Sequence, residues 1–206
     1  MERPIIFSAP MVRAILEGRK TQTRRIAKIT GVMGDKLPVT AEGERLIELE
    51  PGEFNRGVFH YESLSALSGP YRLPYAVGDT LWVREGFADT AGMGFDVRFH
   101  YKADVRDGSE SDEIRKQYGV KWKPSIHMPR IASRITLKVT GVKVERLQDI
   151  SEDDAKAEGA SPKYANGWPS REHIGGFYEI WQSINGPGSW EENPWVAAIS
   201  FERVST

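Results

Sequence analysis

GRKTQTRR, residues Gly18 to Arg25, is the stretch on which the reading of the fold turns. It packs four cations and two hydroxyls into eight residues. Gly18 can end a helix in the left-handed conformation that glycine alone adopts cheaply. From Thr21 to Ile26 the chain reads as extended, so Thr21, Thr23 and Arg25 point one way and Gln22 and Arg24 the other. Lys20 stands at the joint between helix and strand. A helix end feeding a strand of Lys, Thr and Arg can hold an anionic or polar ligand; the same composition also suits a solvated basic strand.

Upstream, Ile5, Ile6 and Phe7 form a short apolar strand. Ser8 is a good N-cap, and Pro10 falls in the first helical turn, where its missing N–H costs nothing. Met11 and Ile15, with Val12 and Leu16, give one apolar face at helical spacing. Downstream, VGDTLWVREGF (77–87) predicts a Gly78-Asp79 turn and a strand from Thr80 to Arg84, with Leu81 and Val83 on one side and Thr80, Trp82 and Arg84 on the other. DVRFHYKA (96–103) predicts another strand. ITLKVTGVKVERL (135–147) reads as two strands, or as one bent at Gly141.

ISEDDAKAEG (150–159) predicts a short helix capped by Ser151, with Asp154 at the capping-box position. Its Glu158 lies at the negative end of the helix dipole, a mismatch that asks for a reason. GGFYEIWQSI (175–184) is amphipathic, with Phe177, Ile180, Trp181 and Ile184 on one face. WVAAISFERV (195–204) closes as a strand with Trp195, Ala197, Ile199 and Phe201 on one side. Five or six strands with short helices between them predict an α+β, mainly β fold, a small β-barrel with short helices packed at its ends.

The 206 residues suit a single domain, 1–206, carrying two embellishments. Residues 28–76, rich in Gly, Pro and acids, read as a loop-rich insertion in which LIELE (46–50) and GVFHY (57–61) form short hairpin strands. Residues 104–130 read as a long loop, starting with a solvated excursion or short helix at 104–116. It runs into KWKPSIHMPRIASR (121–134), whose two prolines argue against a helix. There Lys121, Trp122, Lys123, Arg130 and Arg134 interleave cations with an aromatic, a pattern that can stack a base and hold phosphates. Trp122 could equally pack on the core.

Hydrophobic residues make up 39% and charged residues 28%, and no apolar run is long enough to cross a bilayer. MERPIIFSAP lacks the basic start and apolar middle of a signal peptide, and there is no cysteine, so a cytoplasmic protein without disulfides or thiolate chemistry is expected. His60, His100, His127 and His173 do not pair at metal-ligand spacing, so neither metal nor cofactor is expected. The net charge of −1 hides two basic segments: residues 1–30 carry seven Lys/Arg against two Glu, and 113–146 carry nine against two. That asymmetry suits a face that meets an anion or nucleic acid.

In order along the chain, Gly18-x-Lys20-x-x-Thr23-x-Arg25, the Gly78-Asp79 turn with Leu81-Trp82-Val83, and Ala155-x-x-Glu158-Gly159 resemble the motifs of ASCH-domain proteins in the PUA-like superfamily. The closing helix and strand (172–204) match as well, and FSAPMVRAILEGRKTQTRRI resembles small phage and prophage proteins. The resemblance covers about 5–27, 77–102 and 133–204. It implies a β-barrel whose cleft receives a nucleobase, nucleoside or RNA. One bacterial branch removes the acetyl group from N4-acetylcytidine, and its catalytic lysine, threonine and glutamate match Lys20, Thr23 and Glu158. Arg25, Thr21, Arg24, Trp82 and Arg84 are then candidate substrate-binding residues. The alternative is a non-catalytic reader of RNA, DNA or a modified base, or a ribonuclease.

Overall fold

The computed structural model describes residues 1–27, 58–59, 71–72, 75–94, 96–106, 108–163 and 172–204. In chain order the elements are β1 (Glu2–Ile6), α1 (Ala9–Leu16), β2 (Gln22–Ile26), β3 (Val58–Phe59), β4 (Tyr71–Arg72), β5 (Thr80–Arg84), β6 (Phe87–Asp89), β7 (Phe99–Tyr101), α2 (Glu110–Gln117), β8 (Thr136–Arg146), α3 (Glu152–Ala157), α4 (Glu172–Asn185) and β9 (Trp195–Val204). The chain divides into two compact units, one of Met1–Lys20, Thr80–Lys138 and Glu202–Thr206, the other of Thr21–Asp79 and Val139–Phe201. Sheet dominates, with a few helices, and no closed barrel is seen among the described residues.

In the first unit β1 pairs in parallel with β5, Glu2 opposite Thr80 and Ile6 opposite Arg84. On its other side β5 pairs antiparallel with the first residues of β8, Leu81 opposite Leu137. Ile5, Phe7, Val12, Ile15, Leu81 and Val83 are buried. α1 starts after Ser8, whose side chain makes no cap bond, and carries Pro10 in its first turn. It ends as expected at Gly18, with φ +74°. There the N–H of Gly18 donates to Ile15 C=O (3.1 Å) and that of Arg19 to Ala14 C=O (2.8 Å), the crossed pair that satisfies a helix's last carbonyls. Leu16, expected on the apolar face, is 37% exposed.

β6 and β7 form an antiparallel pair in the same unit. β7 is shorter than the strand expected over 96–103, because Val97 and its neighbours lie exposed in the turn before it. The excursion at 104–116 contains α2, and 121–134 holds only two short 3₁₀ turns, in keeping with its prolines.

In the second unit β2 runs antiparallel to β9, Thr23 opposite Ile199. β9 also neighbours β8. Leu147 N–H donates to Pro194 C=O (3.0 Å) at one end, and Gly141 faces Ser200 at the other, so that pairing is antiparallel. β8 is one unbroken strand through Gly141. Leu147, Ile150, Ala155, Ile174, Phe177, Trp181, Trp190 and Val196 form the core between helices and sheet. Each such large side chain contributes roughly 1.5–3 kcal/mol by leaving water. α4 begins earlier than its amphipathic stretch suggested, and Ile184 in its last turn is exposed. Gly176 is required by packing: a Cβ there would sit 2.0 Å from the Ser161 carbonyl oxygen. β9 buries both faces from Val196 to Ile199 instead of alternating. LIELE and Trp168 lie outside the described residues, and of 28–76 only β3, β4, Tyr75 and Ala76 lie within them.

Candidate active site

In the second unit the start of β2 is tied to the end of α3. Thr21 N–H donates to Ala157 C=O (2.8 Å), and Thr21 C=O accepts from Phe201 N–H (2.8 Å). The Thr21 side chain itself is exposed. That seam brings Glu158, the residue after α3, to the strand that carries Thr23, Arg24 and Arg25. Ser151 caps α3 as expected, its hydroxyl accepting from Asp154 N–H at 3.1 Å. Gly159 takes the left-handed conformation at φ +79°.

Glu158 is 4% exposed. Its unfavourable place at the helix end is compensated by Arg24, whose guanidinium lies 3.3 Å from its carboxylate. Arg24 has no exposed side-chain surface. Its Nε and Nη2 donate to Glu145 (3.0 and 2.5 Å), Nη1 to Gln22 (2.6 Å) and Glu158 (3.3 Å), and Nη2 also to Asp154 (3.0 Å). A guanidinium has five N–H groups, and all five are used. Arg24 therefore organises carboxylates and has no donor left for a substrate.

Lys143 closes the outer side of this cluster, 2.9 Å from Glu145 and 3.0 Å from Asp154. Burial pushes its ammonium down, but the two carboxylates more than reverse that and raise it. Burial likewise pushes Asp154 up, and Lys143, Arg24 and the Ser151 hydroxyl bring it below the ordinary range. Arg25 is lowered by burial, against the opposing pull of Glu158 and Tyr75. Glu158 is thus within electrostatic reach of a cation on each face of β2.

Thr23 is fully buried, and its hydroxyl has no hydrogen-bond partner among the described residues. Leaving a buried hydroxyl unpaired costs about 1–3 kcal/mol, so such a group calls for a reason. Lys20 belongs to the first unit. It is 2% exposed, with Nζ 5.7 Å from the centre of the Phe7 ring.

The remaining candidates lie in the first unit. Trp82 is half-buried, with the guanidinium of Arg84 5.4 Å and that of Arg130 5.9 Å from its ring centre. Arg84 donates to the Ile126 carbonyl, and Arg130 pairs with Glu2 at 2.7 Å. Arg134 forks onto Glu85 (3.0 and 3.1 Å) and Asp104 (2.6 and 2.8 Å) and stacks 3.9 Å from the centre of the Tyr101 ring. Trp122 is half-buried under Arg115, itself bonded to Asp112. Lys123 is held through its backbone to Phe87, and its side chain, like that of Lys121, is exposed. The second basic stretch therefore spends its arginines on carboxylates. Gln22, Glu145 and Lys143 escaped the sequence reading as site residues; the signals were the shared strand face of Gln22 and Arg24 and the i, i+2 placement of Lys143 and Glu145.

Among the described residues no group of three or more His, Asp or Glu side chains could hold a metal ion. No helix among them is long and apolar enough to cross a membrane. No protein-family model and no curated protein matches the chain. Among solved structures, the crystal structure of an ASCH domain from Lactobacillus crispatus is similar at 13% identity, over 98% of this chain and 79% of that one, with a TM-score of 0.38. An overlap that loose carries no argument for fold or function.

Proposed function

We propose that this protein is a nucleoside-directed hydrolase of the PUA-like ASCH barrel type that cleaves the amide of an N4-acylated cytidine. The observation that carries the reading is the buried Thr23 hydroxyl, unpaired among the described residues, on the strand that also brings Arg24 and Arg25 to Glu158. In this scheme Thr23 Oγ1 attacks the amide carbonyl, and Lys20, three residues earlier in the chain, takes the hydroxyl proton. Arg25 stabilises the oxyanion as it forms. Glu158 passes a proton to the departing N4 amine, cytidine leaves, and water hydrolyses the acyl ester to release acetate and restore the hydroxyl. No metal or cofactor enters the scheme.

A binding-only role on RNA or DNA is the weaker reading. It needs the second basic stretch to neutralise phosphates, yet Arg115, Arg130 and Arg134 are already paired with carboxylates.

The test is release of acetate and cytidine from N4-acetylcytidine by wild type, Lys20→Ala, Thr23→Val and Glu158→Gln. Turnover by wild type that is lost in all three supports the assignment, and a folded wild type without turnover overturns it. Thr23→Val keeps the shape and removes the unpaired hydroxyl. It is expected to be inactive and more stable than wild type by roughly 1 kcal/mol in denaturant unfolding.

A further inference from the structure

Resting on that reading of Glu158, we propose that Arg24 and Glu145 are positioning residues that hold the Glu158 carboxylate in place without touching substrate. The geometry runs in one direction. Glu145, on β8, takes two of the five N–H groups of Arg24 at 3.0 and 2.5 Å. Gln22, two residues earlier on β2, takes a third at 2.6 Å, and Asp154 on α3 a fourth at 3.0 Å. The guanidinium is planar and rigid, so these four bonds fix where its fifth N–H points. That fifth donor is the one 3.3 Å from Glu158.

Glu158 itself follows the last turn of a six-residue helix, with Gly159 turning the chain away. A glutamate there has several rotatable bonds and no help from the helix dipole. Arg24, anchored on other elements, offers that carboxylate a donor of fixed position, and the partner that takes more of Arg24's donors than any other is Glu145. Gln22 is held in turn by its amide donating to the Ser200 hydroxyl at 3.2 Å, so the frame reaches across to β9. Phe177 closes the remaining side, its ring centre 5.9 Å from the Arg24 guanidinium carbon. The placement is chemically economical: a side chain with every donor engaged cannot compete with Glu158 for the substrate.

The experiment uses Glu145→Gln, a same-shape change at a residue whose carboxylate meets Arg24 and Lys143. Two readouts are taken on the full chain. On N4-acetylcytidine, kcat is expected to fall about tenfold or more with KM within about twofold, the pattern of a displaced reacting group and not of lost binding. Glu145→Asp is expected to recover part of that loss. Independently of any substrate, the side-chain carboxyl ¹³C resonance of Glu158, identified by its loss in Glu158→Gln, is expected to move in Glu145→Gln at constant pH. That movement should shrink when Glu145→Gln is placed in an Arg24→Lys background, because three ammonium donors cannot span the five contacts.

A Glu158 resonance unmoved by Glu145→Gln overturns the proposal, as does an undiminished shift in the Arg24→Lys background. If wild type does not hydrolyse N4-acetylcytidine, the hydrolase reading fails, while the resonance shifts still decide whether Glu145 positions Glu158 through Arg24.

Discussion

Each unit places an arginine among carboxylates, and the two clusters are built differently. In the first unit Arg134 meets Glu85 and Asp104 through two forks, every contact between 2.6 and 3.1 Å. Its side chain keeps 25% exposure, and one carboxylate is buried while the other is open to water. In the second unit Arg24 is fully buried and shared among three carboxylates and an amide, and Glu158 receives the longest of its contacts. The first arrangement is a clasp: each carboxylate is gripped by two N–H groups, and it joins the loop after β5 to the head of β8. In the second, Arg24 gives Glu158 a single N–H, its other four donors being taken by Glu145, Asp154 and Gln22. A bidentate fork fixes the plane of a carboxylate, which a single N–H from one guanidinium does not.

The comparison breaks most visibly if its two arginines are removed. Arg24→Leu leaves Glu145, Asp154 and Glu158 around an apolar side chain, and a loss of about 3–5 kcal/mol is expected in denaturant unfolding. A loss below about 1 kcal/mol would show that the carboxylates find water or other cations at once. Arg134→Leu strands Glu85 but leaves Asp104 to solvent. With a quarter of the Arg134 side chain already exposed, about 2–3 kcal/mol is expected, recovered in large part by the double change Glu85→Gln with Arg134→Leu.

A carboxylate outside both clusters sharpens the contrast. Glu152, on α3, accepts from the backbone N–H groups of His173 (2.6 Å) and Ile174 (3.2 Å) and so caps α4 from a neighbouring helix. Glu152→Gln keeps one acceptor, and a cost of about 1 kcal/mol is expected from the same unfolding measurement. The smallest effect is the pH response, and its sign differs between clusters. Burial raises Glu85 above its ordinary value of 4.5 despite Arg134, so it binds its proton more tightly when folded. Its contribution to stability is present below pH 4.5 and declines as pH rises through the folded value. Asp154 lies below its ordinary value of 3.8, so its contribution is present above that pH and is lost as pH falls through the folded value. Unfolding free energies across pH 3 to 7 should therefore lose a decline above 4.5 in Glu85→Gln and an acid-side drop in Asp154→Asn.

What the chain discloses by itself is what local physics controls. Gly18 ends α1, Ser151 opens α3, and β5 alternates buried Leu81 and Val83 with half-buried Trp82 and Arg84. Each follows from one residue's backbone freedom, one hydroxyl, or a period of two. Arg24 was legible only as a candidate substrate-binding cation beside Thr23, because the residues that engage it are distant: Glu145 lies 121 positions along the chain. No periodicity announces such a pairing. β9 misleads for a related reason: covered on both faces, it shows the near-continuous run of a central strand instead of alternation. Glu158 is the useful intermediate case. Its poor position on the helix was visible, and the compensating cation was not.

The parallel pairing of β1 with β5 sets a clock on the protein's synthesis. Glu2 must wait for Thr80 to be made before its strand has a partner. At about 5–20 residues per second, a ribosome takes roughly 4–16 seconds to supply it. During that interval Ile5 and Phe7, both buried in the finished protein, have been translated without the strand they pair with. Slowing translation between residues 20 and 80 would lengthen the time β1 spends without its partner strand.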